Sequence, residues 1–214
     1  MEEDMVKIKK WMVIYIGFYC ILVVLFKQIE SQRMLFTIGI MGLIGILIYL
    51  FLPYKRKYLF CSGIISALML MHMGIWTGGV LETETVIGMG AAVSAFDVLS
   101  FTRLGKRTVN AKVMSKPSVA AKLVLYGKEG KDELIPTCGM GDLFLYALWI
   151  TGIGAISNTL IAYSLAASGI FLGTLVNGVV IDRIHQKRWF KGFPATIIPF
   201  SFTAIIYIVV SLGG

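Results

Sequence analysis

The sequence predicts an all-α, polytopic membrane bundle of about seven transmembrane helices, and three observations carry that prediction. Of the 214 residues, 57% are hydrophobic and 15% charged. Mean hydropathy is +0.81, and the charges gather in short clusters between long apolar runs. A soluble globular domain carries roughly 25% charged residues, spread along its elements. The net charge of +8 would suit nucleic acid if the basic residues lined one face. They lie between apolar segments instead, which is juxtamembrane anchoring, so nucleic acid is set aside.

Cutting the chain at its charged clusters leaves seven apolar segments: Trp11 to Phe26, Met34 to Leu52, Leu59 to Val80, Val86 to Phe101, Cys138 to Ile156, Thr159 to Ile181, and Pro194 to Leu212. The first follows Lys7, Lys9 and Lys10 as a signal peptide would, but Lys27 closes it and no small-residue cleavage site follows, so it reads as a retained span. The chain is a single membrane domain: four spans within 11–101, a loop over 102–137, and three spans within 138–212. If the seven alternate in direction, eighteen of the twenty Lys and Arg residues fall on one side and only Lys27 and Arg33 on the other. The positive-inside rule then puts the amino terminus and the long loop in the cytoplasm and the carboxyl terminus outside the cell membrane. Within the loop, Ser118 to Tyr126, a Gly-Lys-Glu-Gly turn and Lys131 to Ile135 predict a β-hairpin.

Ionisable residues deep in a span are costly and mark function. Here they are Asp97, Asp142 and His72. Asp97 lies about four residues, roughly 6 Å of helix rise, from the inner end of its segment, and Asp142 is similarly placed in the fifth, so the two can meet at one depth. Two facing carboxylates share a proton: one takes a proton from water while the other polarises a scissile carbonyl, and they titrate as a pair. That is aspartyl protease chemistry. The same two residues in a transporter or channel would carry protons or cations, and that alternative stays open on the aspartates alone.

Other chemistries lack their residues. A zinc protease needs His-Glu-x-x-His, and His72 and His185 are the only histidines. Ser168 before Gly169 has no histidine base on a later helix. Cys20, Cys61 and Cys138 are too widely spaced for a disulfide framework or a metal site. No metal or organic cofactor is therefore expected. His72, between Met71 and Met73, reads as a packed histidine, and Gly39, Gly42, Gly45, Gly169 and Gly173 as helix-packing positions. The basic clusters fit topology signals and contacts to membrane lipids.

Three short motifs carry a family resemblance. Phe96-Asp97 is similar to the Tyr-Asp motif of presenilins, Gly139-Met140-Gly141-Asp142 fits their Gly-x-Gly-Asp, and Pro194-Ala195-Thr196 resembles their Pro-Ala-Leu. All three stand at the cytoplasmic ends of their segments, in the order found in presenilins and signal peptide peptidases. The departures are Phe96 for Tyr, Thr196 for Leu, and three spans before the Asp97 helix where presenilins have five. Prepilin-type peptidases share a Gly-x-Gly-Asp element, but nothing near Asp97 resembles them. The resemblance implies a presenilin-like catalytic core with Asp97 and Asp142 as the catalytic pair. Phe96, Gly139, Met140, Gly141, Pro194, Ala195 and Thr196 would bind substrate, and the substrates would be transmembrane proteins or signal and remnant peptides, cleaved without accessory subunits. Cleavage requires the substrate helix to unwind, and Lys122 to Ile135 is the segment expected to pair with the exposed strand. Pro194 serves equally as a helix starter.

Overall fold

The computed structural model describes residues 2–29, 31–53, 55–100, 116–129, 133–184 and 195–213. Within them the chain is mostly helical, with eight α-helices: α1 (Glu2–Ile29), α2 (Gln32–Phe51), α3 (Leu59–Val80), α4 (Thr83–Ser100), α5 (Pro117–Lys122), α6 (Met140–Gly154), α7 (Leu160–Ile184) and α8 (Ile197–Gly213). Each of the seven apolar segments contains one helix among its described residues. α1 begins nine residues before its apolar run, because Lys7, Lys9 and Lys10 continue the helix beyond its hydrophobic part.

Among the described residues, four helical stretches are long and apolar enough to cross a membrane: Val6–Ile29, Gln32–Phe51, Arg56–Val80 and Leu160–Ile181. The sequence led us to expect about seven. α6 and α8 are apolar but span 15 and 17 residues, about 22 and 25 Å against a hydrocarbon core of about 30 Å. α6 is shortened because Cys138 and Gly139, assigned to its span from sequence, belong to a strand. α8 is shortened because Ala195 and Thr196 precede its first turn. α4 has 18 residues, but Glu84, Asp97 and its small side chains make it less apolar.

α6 is the centre of the fold. Leu143, Ala147, Leu148, Trp149, Ile150 and Ile153 are fully buried, the pattern of a helix apolar on all sides and covered on all sides. α3 approaches it closely through Gly74, where a Cβ would lie 2.7 Å from the Phe144 carbonyl oxygen, and through Gly78, which abuts Leu148. α1 ties to it by a hydrogen bond from the Tyr19 hydroxyl to the Leu143 carbonyl, 2.7 Å. Gly39 and Gly42 fit against Met73 and Met69 of α3, and Gly169 and Gly173 against Ile206 and Pro199 of α8, the close contact expected of them. Gly45 has nothing within 4 Å and does not pack as predicted.

The long loop yields the predicted hairpin in altered form. Strands β1 (Val124–Glu129) and β2 (Glu133–Gly139) pair antiparallel, from Val124 opposite Gly139 to Glu129 opposite Glu133, with an irregularity between Leu125 and Tyr126. Residues 118–122, expected as strand, are helical in α5. Pro117 supplies the fixed φ of a first helical turn, and the alanines that follow favour helix over strand. The hairpin lies against the start of α1: the Tyr15 hydroxyl donates to the Tyr126 carbonyl at 3.0 Å, Trp11 covers Gly127, and Lys7 reaches Glu133 at 3.7 Å and Glu129 at 4.0 Å.

Candidate active site

Asp142 is the third residue of α6, and the turn before it is arranged around its carboxylate. Gly139 caps the helix in an extended conformation, and its backbone N–H donates to the Asp142 carboxylate. This is the returning half of a capping box, in which the acidic side chain of the third residue satisfies the N–H of the cap. A Cβ at position 139 would lie 2.9 Å from Asp142 Oδ2, so a side chain there would push the carboxylate away. Gly139 is also the last residue of β2, and the Met140 N–H donates to the Leu123 carbonyl at 2.9 Å. The strand therefore runs into the helix without a linker.

Asp97 comes from the last turns of α4 and is half-buried. Two donors of one residue converge on its Oδ2: the Thr196 backbone N–H at 3.0 Å and the Thr196 hydroxyl at 2.8 Å. Thr196, 3% exposed, stands at the start of α8, where its carbonyl accepts the first helical bond from Phe200 at 2.9 Å. The free N–H groups and partial positive charge of a helix start favour an anion there. Pro199 costs nothing at that position, since its missing N–H falls among groups without an intrahelical partner.

The depth of the two aspartates follows from the packing of α4 on α6. Val86 packs onto Gly152, and the Thr83 hydroxyl donates to the Gly152 carbonyl at 2.9 Å. From Val86 to Asp97 the rise is about 16 Å down α4, and from Gly152 to Asp142 about 15 Å down α6. Asp97 and Asp142 arrive at one level and interact electrostatically. Tyr146, one turn along α6 from Asp142, bonds its hydroxyl to the Ala195 carbonyl at 3.4 Å and to the Thr174 side chain of α7. It ties together α6, α7 and the segment that carries Thr196.

The other residues singled out from sequence are placed as follows. Ala195 is half-buried and joined to the site through its carbonyl. Gly141 is exposed, with nothing within 4 Å of its Cβ position. Met140 is 3% exposed and packs in the core, with its methyl group near Gly63. Phe96 is 70% exposed on α4 and directed away from the chain. Pro194 and residues 130–132 of the expected pairing segment lie outside the described residues, while Lys122 of that segment is a buried helical residue and not part of a strand. Tyr146 and Thr174 were not singled out from sequence. Hydroxyls carry no charge to stand out in an apolar run, and the signal for Tyr146 is its spacing of four from Asp142, which puts both on one helix face.

The two half-buried carboxylates stand at one depth and interact electrostatically, with Oδ2 of Asp97 already committed as an acceptor to Thr196. Comparison of the chain with protein-family models, with curated proteins and with solved structures gave no match.

Proposed function

We propose that this chain is an intramembrane aspartyl protease of the presenilin type, a polytopic bundle in which α4, α6 and α8 complete seven crossings. The observation that supports it best is the pair of hydrogen bonds from Thr196 to Asp97 Oδ2, formed while Asp97 interacts with Asp142. Three motifs separated by dozens of residues thereby converge at one point. A structural role for any one of them would not require the other two.

In this reading Asp97 and Asp142 activate a water molecule and protonate the leaving amine in turn. Thr196 and Gly139 hold the two carboxylates by donated hydrogen bonds. Because α6 is short, its start, and Asp142 with it, sits below the membrane surface within reach of cytoplasmic water. The β1–β2 ribbon, which pairs with no third strand among the described residues, gives an unwound substrate a backbone to pair with. The charge partition sets the amino terminus inside and the carboxyl terminus outside. Substrates are transmembrane proteins or the peptides left from them, with no metal, cofactor or accessory subunit.

The test is cleavage of fluorogenic transmembrane peptides by detergent-purified protein beside Asp97→Asn and Asp142→Asn. Loss of activity in both variants, with folding intact, supports the dyad. Cleavage that survives Asp142→Asn overturns it, and silence across a broad peptide panel together with aspartate-dependent proton flux in vesicles replaces it with transport.

A further inference from the structure

α2 packs along α3 and otherwise faces outward, with Met41, Ile44 and Ile48 exposed at 69, 52 and 57%. Between the two helices lies a groove of about 490 Å³. Its walls are apolar along Met41, Ile65 and Met69, and Gly45 opens its floor because no atom approaches its Cβ position within 4 Å. The groove turns polar at one end. There the Ser62 hydroxyl lies 2.9 Å from the Tyr49 hydroxyl and 2.7 Å from the Tyr58 carbonyl.

That end is also strongly basic. The connection from α2 to α3 crosses it with Lys55, Arg56 and Lys57, all exposed, and the Lys57 ammonium stands 4.9 Å from the Tyr58 ring centre. Lys122, 6% exposed, reaches the same end of α2 from the hairpin side and donates to the carbonyls of Tyr49, Leu50 and Leu52 at 3.1, 3.1 and 2.5 Å. It adds a fourth cation beneath the groove's mouth, over the Tyr49 ring at 5.2 Å.

We propose that the α2–α3 groove is a binding site for an anionic phospholipid, with one acyl chain along Gly45 and the headgroup phosphate on Lys55, Arg56 and Lys57. Apolar walls and a basic mouth select this occupant. A transmembrane helix brings its own Lys and Arg residues to the cytoplasmic end, against the basic mouth. A second copy of this chain would set the same basic loop against itself. An acyl chain suits the groove's apolar walls, and an anionic headgroup answers the basic mouth. The site rests on the membrane setting of the chain and not on its being a protease, and its readout is binding alone.

The experiment is native mass spectrometry of the detergent-purified full chain, titrated with phosphatidylglycerol or phosphatidylcholine of identical acyl chains. Each basic side chain near a headgroup adds about fivefold in affinity, so the three together give an expected preference of ~100-fold for phosphatidylglycerol. Combined Lys55→Gln, Arg56→Gln and Lys57→Gln removes the preference. Gly45→Leu, whose Cβ would start in open space, fills the groove and abolishes retention of the tightly held lipid at an unchanged melting temperature. Equal retention of both lipids by the parent protein overturns the proposal, as does full phosphatidylglycerol retention by Gly45→Leu. A photocrosslinker at position 45 is expected to capture lipid, and capture of a second copy or of a transmembrane peptide also overturns it.

Discussion

Thr196→Val replaces one hydroxyl of the candidate site with a methyl group and changes little else. Valine matches threonine in shape and branching, and the backbone N–H at 3.0 Å from Asp97 Oδ2 remains. What disappears is the hydroxyl at 2.8 Å. A hydrogen bond to a charged group contributes about 1.5–3 kcal/mol, and each ~1.4 kcal/mol is tenfold in rate, so kcat/KM on a fluorogenic transmembrane peptide is expected to fall about 10- to 100-fold. Thr196→Ser keeps the hydroxyl and is expected to stay within about threefold of the parent, the scale of a lost methyl contact. Thr196→Leu, which restores the residue of the presenilin motif, is expected to fall with valine, because leucine has no donor either. All three are compared at matched melting temperature in one detergent, with Asp97→Asn as the floor. A folded Thr196→Val that cleaves within twofold of the parent, or a serine variant as poor as valine, refutes the assignment of the hydroxyl to Asp97.

Other substitutions read other parts of the structure. Gly139→Ala places a carbon 2.9 Å from Asp142 Oδ2 and is expected to cost most of the peptidase activity, whereas Gly141→Ala, two residues on and in open space, is expected to keep it. Both are scored by cleavage and melting temperature, and a reversed order refutes the reading. Tyr146→Phe gives up a bond to Ala195 and one to Thr174, and about 1 kcal/mol of ordering predicts a loss near fivefold in kcat/KM. Lys122→Met strips three donors from the end of α2 and is expected to destabilise the fold by about 2 kcal/mol in denaturant titration, and an unchanged midpoint would show that the buried ammonium is not an anchor. Gly78→Ala pushes against Leu148 of α6 and is expected to cost about 1–3 kcal/mol by the same titration, the usual scale of overpacking.

The helices were legible because apolar runs bounded by charge are a strong signal, and their ends were less so because a charge stops a hydrophobic run without stopping a helix. Lys7, Lys9 and Lys10 lie inside α1 for that reason. The boundary at Cys138 failed for the opposite reason: the last residues of β2, Cys138 and Gly139, are as free of charge as α6, and no composition change marks the switch at Gly139. Ser118 to Lys122 was misread as strand because valine and alanine between turn signals fit either element, and Pro117 decided it. In the site, Asp97 and Asp142 stood out as charges among apolar residues. Thr196 was legible only through a three-residue motif, and its role as a donor required the geometry. Lys122 looked like one more loop cation, because sequence does not show the helix end that absorbs it.

Gly139 belongs at once to a ladder and to a cap: it faces Val124 in the ribbon, opens α6 and donates to Asp142. A strand added to the ribbon's edge and a ligand gripping the Asp142 carboxylate therefore act on the same peptide unit. Whatever free energy couples the two events works equally in both directions. If an extended peptide settles the ribbon and thereby the carboxylate, a transition-state mimic held by the carboxylates tightens the hold on that peptide by the same factor. The ribbon is then a sensor of whether a strand has arrived, and α6 answers from the residue where the ribbon stops.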